Sequence, residues 1–161
     1  MKVYGTRLIK QVMKDWQIVT LERLVKNFGV YLSKLFTKDA FFLNEDRHMH
    51  DIAVLMNGEG EFAYCPIFDN GAALLSDTTM DYPMDGDIYE MMREVESKTI
   101  SFDFDEQLDI AEALYGDNLK FTFTKKDVQE LLDEAVIYTK EERDRIERVI
   151  YAQMHKYTYL F

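Results

Sequence analysis

The sequence predicts a mostly α-helical protein with one small β-hairpin. Apolar residues recur at every third or fourth position along several stretches, which is the spacing of one helix face. Two short apolar runs are instead separated by Asn57-Gly58 and Gly60, and this arrangement indicates a hairpin. With 161 residues, 47% of them hydrophobic, the chain can bury an apolar core, and we expect a single domain over residues 1–161.

The N-terminal half of the pattern predicts one helix followed by the hairpin. The helical spacing begins at Thr20, and the apolar stretch Ala40–Leu43 continues it up to Asn44. The hairpin is expected at about Ile52 to Cys65, because the following residue, Pro66, cannot donate a hydrogen bond to a strand pair.

The C-terminal half predicts an irregular segment and then four helices. Residues 74–86 are interrupted by serine, proline and glycine, and helical spacing resumes from Ile88 to Val95. A second helix is expected from about Asp103 to Gly116, where the glycine would serve as a left-handed cap. The patterns Thr124-x-x-Asp127 and Thr139-x-x-Glu142 predict capping boxes that open the last two helices.

The charge of the chain excludes one class of partner. Asp and Glu outnumber Lys and Arg by 30 to 19, the net charge is -11, and no basic run offers a surface for a phosphate backbone. We therefore expect no direct nucleic-acid binding. The same charge would repel ATP at long range, so any nucleotide binding would need Mg²⁺.

Two further features indicate a cytoplasmic protein. Cys65 is the sole cysteine, which excludes an intrachain disulfide and fits a reducing compartment, and we expect it to be a small core residue. The first 17 residues contain four basic side chains and lack the apolar stretch of a signal peptide. No later run reaches the length of a transmembrane helix, so no membrane contact is predicted.

Acidic residues cluster in sequence at the base of the predicted hairpin. A hairpin brings the residue before its first strand close to the residues after its second, so Asp51 should meet Asp69, with Asp46 just upstream. Three carboxylates there would suit Mg²⁺, which prefers oxygen ligands and keeps waters that phosphate oxygens can displace. Acidic residues at strand ends are more often simply solvated, and the spacing alone leaves that alternative open.

Two motifs flank the hairpin. Residues 43–55 are LNEDRHMHDIAVL, and residues 63–71 are AYCPIFDNG. The first resembles the catalytic loop of HipA-like serine/threonine kinases, in which an Asp-Arg-His-x-x-Asn pattern leads into a strand. The second is similar to the Pro-x-Phe-Asp-Asn-Gly metal loop of that family, and a fainter resemblance continues to Phe161. The resemblance implies a protein-kinase-like C-lobe of the HipA type.

The resemblance also implies a role for each carboxylate. In kinase chemistry the first Asp accepts the proton of the substrate hydroxyl, and two further side chains hold Mg²⁺ beside the transferring phosphoryl group. By position, Asp46 is the catalytic residue, and Asp51 and Asp69 are the metal ligands. Asp51 stands where the family has Asn, but a carboxylate can still bind Mg²⁺. A bacterial toxin-antitoxin setting, with an antitoxin-like protein as partner, is implied as well.

The expected N-lobe is absent from the sequence. No glycine-rich phosphate loop is present, and about 45 residues precede Asp46, too few for a nucleotide-binding lobe. ATP binding is therefore expected only with a complementing small-lobe polypeptide, for which Phe62, Tyr64 and residues 80–84 are the candidate contacts. The alternative is a catalytically inactive remnant that acts as a protein-interaction module. An adjacent reading frame that encodes a stranded small lobe would favour the first, and a homodimer is a further possible assembly.

Several single residues have competing interpretations. His48, His50 and Asp51 could bind a transition metal, but the kinase-like pattern already accounts for His48. Arg47 is expected to anchor either its own loop or the acidic segment after Gly71, and Lys38 is expected to be a solvated residue of the first helix. Met80, Tyr82 and Met84 are equally compatible with partner contact and with packing.

Overall fold

The computed structural model describes residues 20–21 and 23–161, so the prediction for the first 17 residues lies outside the described part. From Phe28 onward, these residues form five α-helices and a two-stranded antiparallel sheet. The helices are α1 (Phe28–Phe42), α2 (Ile88–Glu94), α3 (Phe104–Tyr115), α4 (Lys125–Glu134) and α5 (Lys140–Lys156), and the strands are β1 (Val54–Met56) and β2 (Phe62–Tyr64). The predicted mostly helical fold with a small hairpin is confirmed.

The first helix begins later than the apolar spacing predicts. Residues 20–21 and 23–24 are helical, but residues 25–27 form a bend and a turn, and α1 begins after Asn27. Asn27 has a φ of 58°, a left-handed conformation that asparagine adopts more easily than most residues. The spacing could not reveal this break, because apolar residues continue on both sides of it. The predicted end is confirmed, since Leu43, with a φ of 53°, terminates α1 before Asn44.

Helix α1 packs closely against α3 at a glycine. A Cβ atom at Gly29 would overlap the ring of Tyr115, so the ring can lie against the α1 backbone where there is no side chain. One turn further, Ser33 donates a hydrogen bond to the carbonyl of Gly116 (2.8 Å). Gly116 ends α3 as predicted, but its φ of 87° and ψ of 167° are not those of a left-handed cap. The Asn118 amide also donates to its carbonyl (2.7 Å), and the positive φ with this ψ is a conformation that glycine alone adopts readily.

The end of α1 is fixed by the last helix. The amide of Gln153, on α5, donates hydrogen bonds to the carbonyls of Ala40 and Phe41, at 2.9 Å each. Both carbonyls lie in the last turn of α1, where no partner is available within the helix. Because the first motif starts at Leu43, its position is set by the packing of α1 against α5.

The hairpin is shorter than predicted. The strand pairs are Val54 with Tyr64, Leu55 with Ala63 and Met56 with Phe62. In the turn, Asn57 Oδ1 accepts hydrogen bonds from the amides of residues 59 and 61, which closes the loop through a side chain. Since β2 ends at Tyr64, Cys65 is partly exposed, and its predicted place in the core is wrong.

The helix starts follow the predicted caps. Thr124 and Asp127 form a capping box before α4, and Thr139 and Glu142 form another before α5. Asp103 caps α3 by accepting hydrogen bonds from two backbone amides. Within the described residues, no helix combines the length and the apolar character needed to cross a membrane.

Candidate functional site

Arg47 of the first motif joins that motif to the second. Its guanidinium donates two hydrogen bonds to the carboxylate of Asp39 on α1, from Nε to Oδ2 (2.9 Å) and from Nη2 to Oδ1 (3.1 Å). The side chains of both residues are 1% exposed. The guanidinium also donates to the carbonyl of Phe68 and to Asn70 Oδ1 (2.9 Å). The two motif loops, on either side of the hairpin, are therefore in direct contact.

Two more side chains extend this network, one of them buried and the other partly exposed. The amide of Asn44 donates to Asp39 Oδ1 (3.0 Å) and to the carbonyl of Asp69 (3.3 Å). Asp69 has a left-handed φ of 54° and an exposed side chain. Lys38 donates to Asn70 Oδ1 (2.7 Å), and partial burial lowers the pKa of this lysine. Lys38 is thus a contact of the second motif, and it is partly rather than fully solvated.

Asp46 and Asp51 lie in different surroundings. The Asp46 side chain is 54% exposed, and its Oδ1 lies 3.0 Å from His48 Nε2 and 3.7 Å from Lys98 Nζ. Asp51 is partly buried in the short 3-10 helix Met49–Asp51, and its Oδ2 accepts a hydrogen bond from the His48 amide (2.8 Å). Asp46 is therefore open to a substrate, while Asp51 already has one backbone partner.

The oxygen atoms near the two motifs are of the type that binds Mg²⁺, but the described residues do not form a complete metal site. Asp51 and Asp69 supply carboxylates of the type that Mg²⁺ binds. The buried Oδ1 of Asn44 has no hydrogen-bond partner in the described part of the chain, so one more oxygen is free near the Asp69 backbone. Among residues 20–21 and 23–161, no group of three or more His, Cys, Asp and Glu side chains could hold a metal ion. The assignment of Asp51 and Asp69 as ligands stays a prediction.

The segment that follows the second motif is held by two buried side chains. The Tyr82 hydroxyl donates to Glu45 Oε2 (2.7 Å), and burial together with this hydrogen bond raises the pKa of Tyr82. Arg145, on α5, donates to the carbonyls of Tyr82 (2.8 Å), Pro83 (2.9 Å) and Leu75 (3.5 Å). Tyr82 is therefore a packing residue that connects this segment to the residue next to Asp46.

Residues 98 and 99 connect the first motif to an open groove. Lys98 approaches Asp46, and Thr99 Oγ1 donates a hydrogen bond to the carbonyl of Arg47 (2.7 Å). Both residues line a groove of about 1150 Å³ between α2, residues 95–103, the start of α3 and the end of α5. The groove is therefore linked to Asp46 through Lys98, although Asp46 itself does not line it.

Sequence reasoning did not identify Asp39, Lys98 or Thr99. A signal for Asp39 was available, because a lone carboxylate inside the apolar stretch of α1 requires a buried partner, and Arg47 is a candidate eight residues later. Lys98 and Thr99 have no comparable signal, because they reach the first motif across about 50 residues of chain.

Comparison with known proteins identified no relative of this chain. No family model, curated protein or solved structure matches the chain. The resemblance to HipA-like kinases therefore depends on the sequence motifs at residues 43–55 and 63–71.

Proposed function

We propose that this chain is the large lobe of a HipA-like serine/threonine protein kinase, with a protein-kinase-like C-lobe fold. The observation that supports this most is the buried pair of Arg47 and Asp39, which brings the two motif loops together. A kinase needs its catalytic loop beside its metal loop, because the proton acceptor and the metal ligands act on the same phosphoryl group. The contact between the loops meets that requirement.

In the proposed reaction, a serine or threonine hydroxyl oxygen of a protein substrate attacks the γ-phosphorus of ATP. The bond from that phosphorus to the β–γ bridging oxygen breaks, and ADP leaves. Asp46 accepts the hydroxyl proton, and its neighbours His48 and Lys98 orient the carboxylate. Asp51 and Asp69 would hold Mg²⁺, which neutralises phosphate charge when bound. The net charge of -11 makes such neutralisation necessary for ATP to bind.

A separate small-lobe polypeptide is the partner that we propose for nucleotide binding. Leu55, Met56, Tyr64 and Phe68, on and beside the hairpin, are exposed and so are accessible to a partner. Tyr64 was a candidate contact and is accessible. Phe62, the other candidate on the hairpin, is instead partly buried against the apolar residues of α1.

The third candidate contact, residues 80–84, is partly exposed and partly buried. Met80 and Met84 are exposed, whereas Tyr82 is buried. The two methionines could contact a small lobe, an antitoxin-like protein or a second copy of the chain, because an unbranched thioether side chain adapts to many surfaces.

Phosphotransfer tests the proposal directly. The full chain is incubated with labelled ATP, Mg²⁺ and a protein substrate, alone and with a small-lobe polypeptide encoded by a neighbouring reading frame. We expect weak ATP binding and no appreciable transfer by the chain alone, because charge stabilisation is needed on both sides of the triphosphate. Transfer should appear with the small lobe and disappear in Asp46→Asn. Equal transfer by wild type and Asp46→Asn would refute the assignment of Asp46.

Metal binding provides a separate test. Mg²⁺ at ten times its dissociation constant should stabilise the fold by about 1.4 kcal/mol, measured as a rise in Tm. The rise should be lost in Asp51→Ala combined with Asp69→Ala, but retained in Asp133→Ala, which changes an exposed carboxylate of α4. An identical response in all three proteins would show that neither predicted ligand holds the metal.

One observation favours the second candidate function, a catalytically inactive kinase-like interaction module. In the described residues the carboxylates do not form a metal group, and the Asp51 carboxylate already accepts the His48 amide. Such a module would bind a small-lobe partner without transferring phosphate, which the phosphotransfer assay also detects.

A further inference from the structure

The groove beside Asp46 has the size and lining of a site for a polypeptide rather than for a small molecule. Its volume of about 1150 Å³ is slightly above the range of about 300–1,000 Å³ that is usual for small-molecule sites, and it is open to solvent. Tyr89 and Phe102 line it and are 60% and 72% exposed. Exposed aromatic side chains in a groove are typical of protein interfaces, where they bury a large area with little loss of side-chain freedom.

The net charge of the groove lining indicates which kind of polypeptide would bind there. Five carboxylates and three cationic side chains line it. All three cations are already paired, Lys98 with Asp46 (3.7 Å), Lys156 with Asp105 (3.0 Å) and Arg93 with Glu90 (3.9 Å). The lining is therefore negative overall, so it complements a basic segment and repels phosphate-rich polymers.

We propose that this groove binds a segment of another protein that carries both apolar and basic side chains, and that it presents a serine or threonine of that segment to Asp46. The apolar side chains would lie against Tyr89 and Phe102, and the basic ones against the carboxylates. Thr99 holds this wall of the groove to the Arg47 carbonyl (2.7 Å), and the neighbouring Lys98 lies 3.7 Å from Asp46. The identity of the acceptor rests on the proposed kinase function, but binding of the segment requires no nucleotide.

The binding experiment uses the full chain without ATP. The probe is a fluorescein-labelled peptide of alternating leucine and arginine with a central serine, and the matched control peptide has glutamate in place of arginine. Fluorescence anisotropy should show the arginine peptide binding at least about tenfold more tightly than the glutamate peptide, with weaker binding at high salt. Equal affinities would refute the predicted charge selectivity.

Matched variants separate the groove from general attraction to an acidic protein. Tyr89→Ser combined with Phe102→Ser removes exposed aromatic surface from the groove and should weaken binding about tenfold. The control combines Val136→Ser with Ile137→Ser, at positions that are 84% and 83% exposed between α4 and α5, outside the groove. The control should stay within about twofold of wild type. The same affinity for both double variants would overturn the proposal.

The experiments distinguish a wrong docking proposal from a wrong kinase proposal. If the peptide binds in the groove but no transfer occurs with the small lobe, the kinase proposal fails and the docking site stands. If transfer occurs and the KM for the protein substrate is unchanged by Tyr89→Ser with Phe102→Ser, the docking site fails and the kinase stands.

Discussion

The two buried arginines of this protein hold their loops in different ways. Arg47 is 1% exposed and forms a two-bonded ion pair with Asp39. Arg145 is 3% exposed, and no carboxylate of the described residues pairs with it. It donates instead to the carbonyls of Leu75, Tyr82 and Pro83, and burial lowers its pKa.

The difference shows how firmly each loop depends on its arginine. Removing the cation at position 47 would leave Asp39 charged and buried, which is costly in a medium of low polarity. Removing the cation at position 145 would leave backbone carbonyls without donors but would strand no charge. We therefore expect the motif loops to depend more strongly on their arginine than residues 75–83 do.

The largest effect is expected for Arg47→Met. The uncompensated Asp39 carboxylate should lower the free energy of unfolding by about 3–5 kcal/mol, measured by urea denaturation. Arg93→Met is the control, because Arg93 forms an exposed pair with Glu90 at 3.9 Å, and its loss should cost less than about 0.5 kcal/mol.

A double variant checks the cause. Asp39→Leu combined with Arg47→Met removes both charges and should cost less than the sum of the two single changes. Additive costs, or a loss in Arg47→Met no greater than in Arg93→Met, would contradict a buried ion pair at this position.

A smaller and more local effect is expected for Arg145→Met. Loss of the hydrogen bonds to three carbonyls should lower stability by about 1–3 kcal/mol. Hydrogen exchange should become faster at amides of residues 75–86, while amides of residues 44–51 keep their protection. Faster exchange in both loops would mean that Arg145 supports the candidate site as well.

Tyr82→Phe should remove about 1 kcal/mol of stability at neutral pH, because the partly exposed Glu45 can regain water. The effect should depend on pH. The folded pKa of Tyr82 is raised, so its stabilising contribution is complete below the ordinary tyrosine value of about 10 and is lost as pH rises through the folded pKa. Urea denaturation at pH values from neutral to above 10 should show that the wild type loses more unfolding free energy per pH unit than Tyr82→Phe does. Tyr138→Phe, at an exposed tyrosine, is the control. If the unfolding free energies of the wild type and Tyr82→Phe change with pH in parallel, ionisation of Tyr82 does not affect stability.

The smallest effect on stability is expected for Asp46→Asn, although it neighbours Arg47. Its contacts with His48 and Lys98 are exposed and partly screened by solvent, so the free energy of unfolding should change by less than about 0.5 kcal/mol. A loss above about 1 kcal/mol would indicate that Asp46 is structural, and its role as proton acceptor would lose support.

Much of the fold could be predicted from the sequence because its signals are local. The two capping boxes join residues three positions apart, and Asn57 closes the hairpin with amides two and four residues away. The break before α1 was missed, because Asn27 adopts a left-handed conformation that apolar spacing does not record.

The candidate site could be predicted in part. The two motifs located Asp46, Asp51 and Asp69, and the role of Arg47 as an anchor of its loop is confirmed by its contacts with Asp39, Phe68 and Asn70. Whether the three carboxylates share one metal ion stays a prediction, because spacing along the chain does not specify the direction of a side chain.

The sequence by itself determined the helices, the hairpin, the acidic character and the two motifs, since each depends on residues that are neighbours in the chain. Tertiary structure alone decided that Lys98 and Thr99, which line a groove, contact the first motif. These contacts depend on how helices pack, as where Gly29 admits the ring of Tyr115. Such packing is set by shape complementarity between distant surfaces, which no local periodicity encodes.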